Sequence, residues 1–167
     1  MNNHAVMIST SMASWDVDSY RLAGVATADM DNGTVVELGD MALGTNPVTG
    51  GYEYNVAVSA TGAGKLYLVD TPLPGTGVNI EAQVYSDPRY FYNMAGQPMS
   101  LRKLVDGDHI ELTAAAFTTA PTAVGQTVGV ANGKFVQGST GKFKVVAIKT
   151  LAIGTEVVPS YVLRYDA

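Results

Sequence analysis

Apolar and polar residues alternate with a period of two along most of the chain, and this restricts its fold more than any other feature. In the segment HIELT, for example, Ile110 and Leu112 fall on one face of a strand and the polar residues between them on the other. No segment of ten or more residues keeps the apolar spacing of an α-helix, and only a single helical turn is predicted, at 98–104. The same period predicts strands at 34–38, 52–58, 65–70, 78–85, 109–113, 127–130, 134–137, 142–150 and 161–166.

Dipeptides that favour tight turns separate these segments. Asn-Gly pairs are the strongest such signal, because both central residues of the turn take positive φ. They occur at Asn32-Gly33 and Asn132-Gly133, and Gly50-Gly51, Asp106-Gly107 and Thr140-Gly141 are further turn signals. Many short strands without long helices predict an all-β protein, mainly an antiparallel barrel or sandwich with little helix.

The stretch ADMDNGTVVELG contains several side chains with oxygen atoms, as a calcium-binding loop does. Counted from Asp29, however, Thr34 takes the sixth place, where an EF-hand needs glycine, and Asp40 takes the twelfth, where it needs glutamate. We therefore predict a hairpin turn with Gly33 in the left-handed conformation, followed by a strand.

Two segments depart from the alternation and define the predicted domain organisation. Residues 1–20 are small and polar with isolated large apolar side chains, which predicts an extended N-terminal arm before a β-rich body at 21–167. The aromatic-rich excursion at 86–104 carries two prolines and divides that body into two β-rich halves. Whether the halves form one body or two subdomains stays open.

Composition argues against several kinds of chemistry. The net charge is −5 and the ten Lys and Arg residues are scattered, so no basic stripe is present to bind nucleic acid. No apolar run reaches the length of a membrane span. The chain has no cysteine and only two histidines, His4 and His109, and it lacks a nucleophile motif. We expect no catalytic residue, no cofactor and no metal site, although an acidic cleft that includes Asp108 or Glu111 is an alternative.

Consecutive aromatic residues indicate a protein-binding surface. Tyr90, Phe91 and Tyr92 cannot all enter one core by alternation, so some should contact another chain or fold over one another in a loop. The apolar residues of the arm have the same two interpretations. The predicted protein interface consists of Val6, Met7, Met12, Trp15, Arg89, Tyr90, Phe91, Tyr92, Met94 and Met99.

The segment FYNMAGQPMSLRKLVDGDHIELTAAAF resembles the head (capsid) decoration proteins of tailed bacteriophages, which are encoded beside the major capsid protein. The later segments VGQTVGVANGKFVQG and GKFKVVAIKTLAIG resemble the C-terminal half of that family. The residues that carry the resemblance in the first segment are Phe91, Asn93, Ala95-Gly96, Arg102, Gly107-Asp108 and Thr113 through Phe117.

This resemblance implies a non-enzymatic structural virion protein. It would be made in the host bacterial cytoplasm, bind the major capsid protein on the capsid exterior, and stabilise the shell as a homo-oligomer, either trimer or dimer. Alternatives are a tail-associated or fibre-associated β module and a glycan-binding or hydrolytic β domain. With the arm as the capsid contact, deleting residues 1–15 is expected to abolish capsid binding and leave the melting temperature nearly unchanged.

Overall fold

The computed structural model describes residues 3–42, 53–73, 87–138 and 140–167. The all-β prediction is confirmed: within these ranges the helical segments are three short 3₁₀ turns, and strands form the rest of the regular structure. The 3₁₀ turns are Ala13–Trp15, Asp18–Tyr20 and Ala114–Ala116. The strands are β1 (Met7–Ile8), β2 (Arg21–Ala26), β3 (Val35–Met41), β4 (Glu53–Val58), β5 (Tyr67–Val69), β6 (Pro98–Lys103), β7 (His109–Thr113), β8 (Phe117–Thr119), β9 (Thr127–Ala131), β10 (Lys134–Gln137), β11 (Phe143–Ile153) and β12 (Glu156–Tyr165).

These strands form a closed barrel and a larger sheet. The barrel has the strand order β2-β4-β3-β5-β6 and closes through β2 and β6, which are antiparallel. Strands β2 and β4 are parallel, and the other barrel pairs are antiparallel. The seven-stranded sheet has the order β1-β7-β12-β11-β9-β10-β8.

The hydrophobic core consists of two clusters, one between barrel and sheet, which we call the shared core, and one inside the barrel. In β3, Val35 and Val36 point in opposite directions and both are fully buried. Val35 packs with sheet residues such as Leu163, whereas Val36 packs inside the barrel with residues such as Leu101. The consecutive buried apolar residues at the start of β3 and along β5 therefore mark the part of the barrel that lies between two packed layers.

The β9–β10 turn joins the two layers through backbone hydrogen bonds. Asn132 and Gly133 both have positive φ, 49° and 77°, as predicted for this Asn-Gly pair. The Gly133 N–H donates to the Ser59 carbonyl at 2.8 Å, and the Val35 N–H donates to the Gly133 carbonyl at 2.9 Å. The turn thus fixes the sheet against the barrel.

Gly133→Ala is expected to destabilise the fold by about 2–3 kcal/mol, because a Cβ adds contacts to left-handed backbone strain. That Cβ would lie 3.0 Å from side-chain atoms of Thr34 and Val58. Gly107→Ala is the matched control: its φ is 90°, but a Cβ would meet no atom within 4 Å, so only the strain of about 1 kcal/mol should appear. Urea denaturation of both variants checks this, and equal losses would contradict the steric part.

The structure corrects three local predictions. Residues 98–103 form strand β6 of the barrel instead of a helical turn. The Asn32-Gly33 turn exists, with Gly33 at φ 87°, but β2 and β3 are not hairpin partners because β4 lies between them. In β4, Val56 is buried as predicted, whereas Val58 is exposed and Glu53 is buried. The strand predicted at 78–85 and the turn at Gly50-Gly51 lie outside the described residues.

The N-terminal segment is packed on the body instead of extended away from it. Strand β1 pairs with β7, and Met12 lies in the shared core. The Ala13 N–H donates to the Asp108 carboxylate at 2.7 Å, and the Val6 N–H donates to Thr113 Oγ1 at 3.0 Å. This segment therefore belongs to the fold.

Candidate protein-interaction site

Only part of the predicted interface lies on the surface. Met12 and Met99 are each 2% exposed and belong to the two core clusters, and Val6 is also buried. These three side chains pack within their own chain, so the prediction that they form part of an exposed protein interface is corrected. Trp15 and Met94 are exposed, whereas the remaining predicted residues are half-buried: Met7, Arg89, Tyr90, Phe91 and Tyr92.

The half-buried aromatic segment packs against the N-terminal segment. The His4 ring stacks on Tyr92 with 5.0 Å between centroids, and its Nδ1 lies 2.6 Å from Asp31 Oδ1. The His4 N–H donates to the Arg89 carbonyl at 2.7 Å. Tyr92 thus contacts the N-terminal segment of its own chain, and the loop interpretation, in which the aromatic side chains fold over one another, stays a prediction.

Two ion pairs hold Arg89 in place. Its guanidinium bonds Asp87 at 2.6 Å and Glu156 at 2.8 Å, and these contacts raise the pKa of Arg89. The hydrogen bond from Arg89 lowers the pKa of the Asp87 carboxyl. Arg89 therefore connects the aromatic segment to the turn between β11 and β12 and is committed to contacts within the chain.

Trp15 is exposed on the surface, and its conformation is restricted by a buried arginine. Its ring is 46% exposed and lies over the guanidinium of Arg102, 4.7 Å from the ring centroid. Arg102 is itself buried, pairs with Asp70, and donates to the Ser14 carbonyl at 2.9 Å. Because the supporting arginine cannot move freely, Trp15 presents its face to solvent with little remaining conformational entropy to lose on binding.

A cleft of about 340 Å³ lies beside Trp15. Met7 of the N-terminal segment and Leu73 contribute apolar atoms to its lining, and the Asp70–Arg102 pair contributes polar atoms. The cleft has room for one or two side chains of a partner. We name Trp15 and this cleft the Trp15 site.

Charged residues of both signs lie around the Trp15 site. Arg21 is exposed, and its pair with the exposed Asp18 is long at 3.7 Å. Lys103 lies over the Tyr20 ring at 4.8 Å. The exposed carboxylates of Asp16 and Asp18 offset the charges of Arg21 and Lys103, so the surroundings of the Trp15 site carry no net positive charge.

The carboxylates of the enzymatic alternative are engaged in hydrogen bonds that hold the fold. Asp108 accepts the backbone N–H groups of Ala13 and Val105 at 2.7 and 2.8 Å. Glu111 accepts hydrogen bonds from Lys149 and Ser160, both at 2.8 Å. Although burial alone raises the pKa of Glu111, these hydrogen bonds outweigh it and lower the pKa below its usual value. A general acid would need the opposite shift.

A larger cleft of about 850 Å³ lies beside His4 and Asp31 and reaches Phe117 and Lys134.

Within the described ranges, no group of three or more His, Cys, Asp or Glu side chains could hold a metal ion. In the same ranges, none of the helical segments has the length and apolar character needed to cross a membrane.

Sequence reasoning found Trp15 but missed Arg102 and Asp70, which hold it. A charged residue inside a strand breaks the alternation that reveals a strand, and no sequence signal joins positions 70 and 102.

Comparisons of the chain with protein-family models, curated proteins and solved structures found no match.

Proposed function

We propose that this chain is a structural virion protein that binds the outer surface of a bacteriophage capsid through the Trp15 site and stabilises the shell. The observation that carries the proposal is an exposed tryptophan immobilised on a buried ion pair beside a cleft. Tryptophan and arginine beside a pocket are the residues that most often dominate the binding energy of protein interfaces. The resemblance to head decoration proteins supplies the partner, the major capsid protein.

One further observation and one general argument support a binding role over a hydrolytic one. The carboxylates Asp108 and Glu111 are occupied in holding β7 and the N-terminal segment, as described above. A capsid also presents many copies of one surface, so a modest site on each decorating molecule is sufficient when the contacts act together.

Trp15→Ala is expected to weaken capsid binding by roughly tenfold or more, because a central tryptophan contributes about 2 kcal/mol or more to an interface. The change in melting temperature should be small, since the ring is half exposed and its contact with Arg102 is worth only about 1 kcal/mol. The measurement is co-sedimentation of the purified chain with shells assembled from the major capsid protein of the phage that encodes the chain.

Val124→Ala is the control, because Val124 is also exposed and lies in the loop before β9. It should bind capsids as the wild type does. Wild-type chain that fails to bind shells, together with antibody labelling of tails in electron micrographs, would favour the tail-associated alternative. Unchanged binding of the Trp15 variant would show that the contact lies elsewhere on the surface.

A further inference from the structure

Two identical dipeptides in this chain are open to spontaneous chemical change. Asparagine is among the thermally labile residues, and it reacts fastest before glycine, whose backbone nitrogen is unhindered. That nitrogen attacks the side-chain carbonyl carbon of the asparagine and expels ammonia, which leaves a five-membered succinimide ring. Water then opens the ring to aspartate or to isoaspartate. The sequence contains this pair at Asn32-Gly33 and at Asn132-Gly133.

The attacking nitrogen is held equally in both pairs. The Gly33 N–H donates to the Val69 carbonyl, and the Gly133 N–H donates to the Ser59 carbonyl, each at 2.8 Å. Both glycines are buried and have positive φ, 87° and 77°. Succinimide formation at either pair therefore requires local opening of a backbone hydrogen bond. The difference between the two pairs lies in their asparagine side chains.

The Asn32 side chain is hydrogen-bonded through both of its polar atoms. Its Nδ2 donates to the Thr71 carbonyl at 2.9 Å, and its Oδ1 accepts the Thr71 N–H and Asn93 Nδ2, both at 3.1 Å. Asn93 is itself buried and donates to the Met30 carbonyl. The side-chain carbonyl carbon of Asn32 therefore cannot turn towards the Gly33 nitrogen until these bonds break together.

The Asn132 side chain is exposed and lines the larger cleft beside His4, so water reaches it. Its backbone N–H donates to the Ala60 carbonyl at 3.2 Å, whereas its side chain makes no hydrogen bond within the described ranges. Rotation of this side chain towards the Gly133 nitrogen therefore breaks no side-chain bond of its own.

We propose that Asn132 is the site of spontaneous deamidation in the folded chain and that the contacts of Asn32 hold that residue inert. Each hydrogen bond that must break lowers the population of the reactive conformation, and the Asn32 side chain has three of them. Asn132 should therefore react at least about tenfold faster than Asn32.

The reaction changes the turn that joins the sheet to the barrel. Isoaspartate carries the main chain through its own side chain and so adds one carbon atom to the backbone before Gly133. The hydrogen bonds from Gly133 to Ser59 and from Val35 to Gly133 depend on the original spacing of this backbone. The fold should therefore lose stability as Asn132 reacts, and this turn should limit how long the chain keeps its structure.

The test is peptide mapping by mass spectrometry after the purified chain has been incubated at mildly alkaline pH. Trypsin places residues 32 and 132 in different peptides, because Lys65 and Lys103 lie between them. In the folded chain, deamidation at residue 132 should be at least about tenfold faster. In urea, where the side-chain contacts are lost, the two sites should react at comparable rates. Equal rates in the folded chain, faster reaction at Asn32, or a folded Asn132 that stays unreacted while the unfolded chain reacts would overturn the proposal.

A second readout uses the variant Asn132→Gly. It removes the reactive side chain, and glycine readily adopts the φ of 49° that Asn132 has in this turn. The melting temperature of the wild type should fall during the incubation, whereas that of Asn132→Gly should stay constant. Equal falls in the two proteins would contradict the link between this site and stability. Neither measurement involves a capsid, so both are independent of the proposed function.

Discussion

Arg102→Ala is expected to lower the free energy of unfolding by about 3 kcal/mol, because it leaves the largely buried Asp70 carboxylate without its cation, although the Trp15 cleft gives that carboxylate some access to water. The Asp70 side chain is 14% exposed. After the substitution, the Ser9 hydroxyl, which donates to Asp70 at 2.6 Å, would still hydrogen-bond the carboxylate. The variant also removes the hydrogen bond to the Ser14 carbonyl and the support beneath Trp15. Urea denaturation followed by circular dichroism measures the loss.

Arg164→Ala is the matched control for this prediction. Arg164 also pairs with an aspartate, Asp166, at 2.6 Å, but both side chains are more than 40% exposed. Water and salt screen such a pair, so its removal should cost about 1 kcal/mol or less. Equal losses for the two arginine variants would mean that burial of the Asp70–Arg102 pair does not matter. Trp15 is the only tryptophan, so its fluorescence reports separately on the Trp15 site.

Alternation predicted the strands whose two faces differ most. In β7, Ile110 and Leu112 are fully buried on the inner side, as expected. Strand β10 begins and ends at the predicted residues, and the Asn132-Gly133 turn joins it to β9. These elements were predictable because a polar face in water and an apolar face in the core leave a period of two in the sequence.

Other elements could not be predicted because local pattern does not report on pairing. Strand β6 was not predicted, because the charged Arg102 is buried next to the buried Leu101 and this breaks the alternation of apolar and polar residues. The parallel pairing of β2 with β4 depends on contacts distant in sequence. For the Trp15 site, the exposed tryptophan was predictable, but its buried support was not.

Removing residues 1–15 is expected to cost about 5 kcal/mol or more, which is the opposite of what the sequence predicted for a detachable arm. The deletion removes Met12, worth about 2 kcal/mol or more in the core, together with the buried Val6. It also takes away the Ala13 N–H from the buried Asp108 carboxylate and the Ser14 carbonyl from Arg102. A chain of this length should then melt at least about 10 °C lower, as measured by calorimetry.

Two comparisons separate a structural role of the segment from a binding role. Deleting only residues 1–3 stops before His4, whose side chain bonds Asp31, so this variant should melt close to the wild type. Met12→Ala keeps the whole segment and should still cost about 2–5 kcal/mol, since it leaves a cavity in the shared core. An unchanged melting temperature after removal of residues 1–15 would restore the arm interpretation. In that case the packing of β1 on β7 would contribute nothing to stability, and any loss of capsid binding could be assigned to the segment itself.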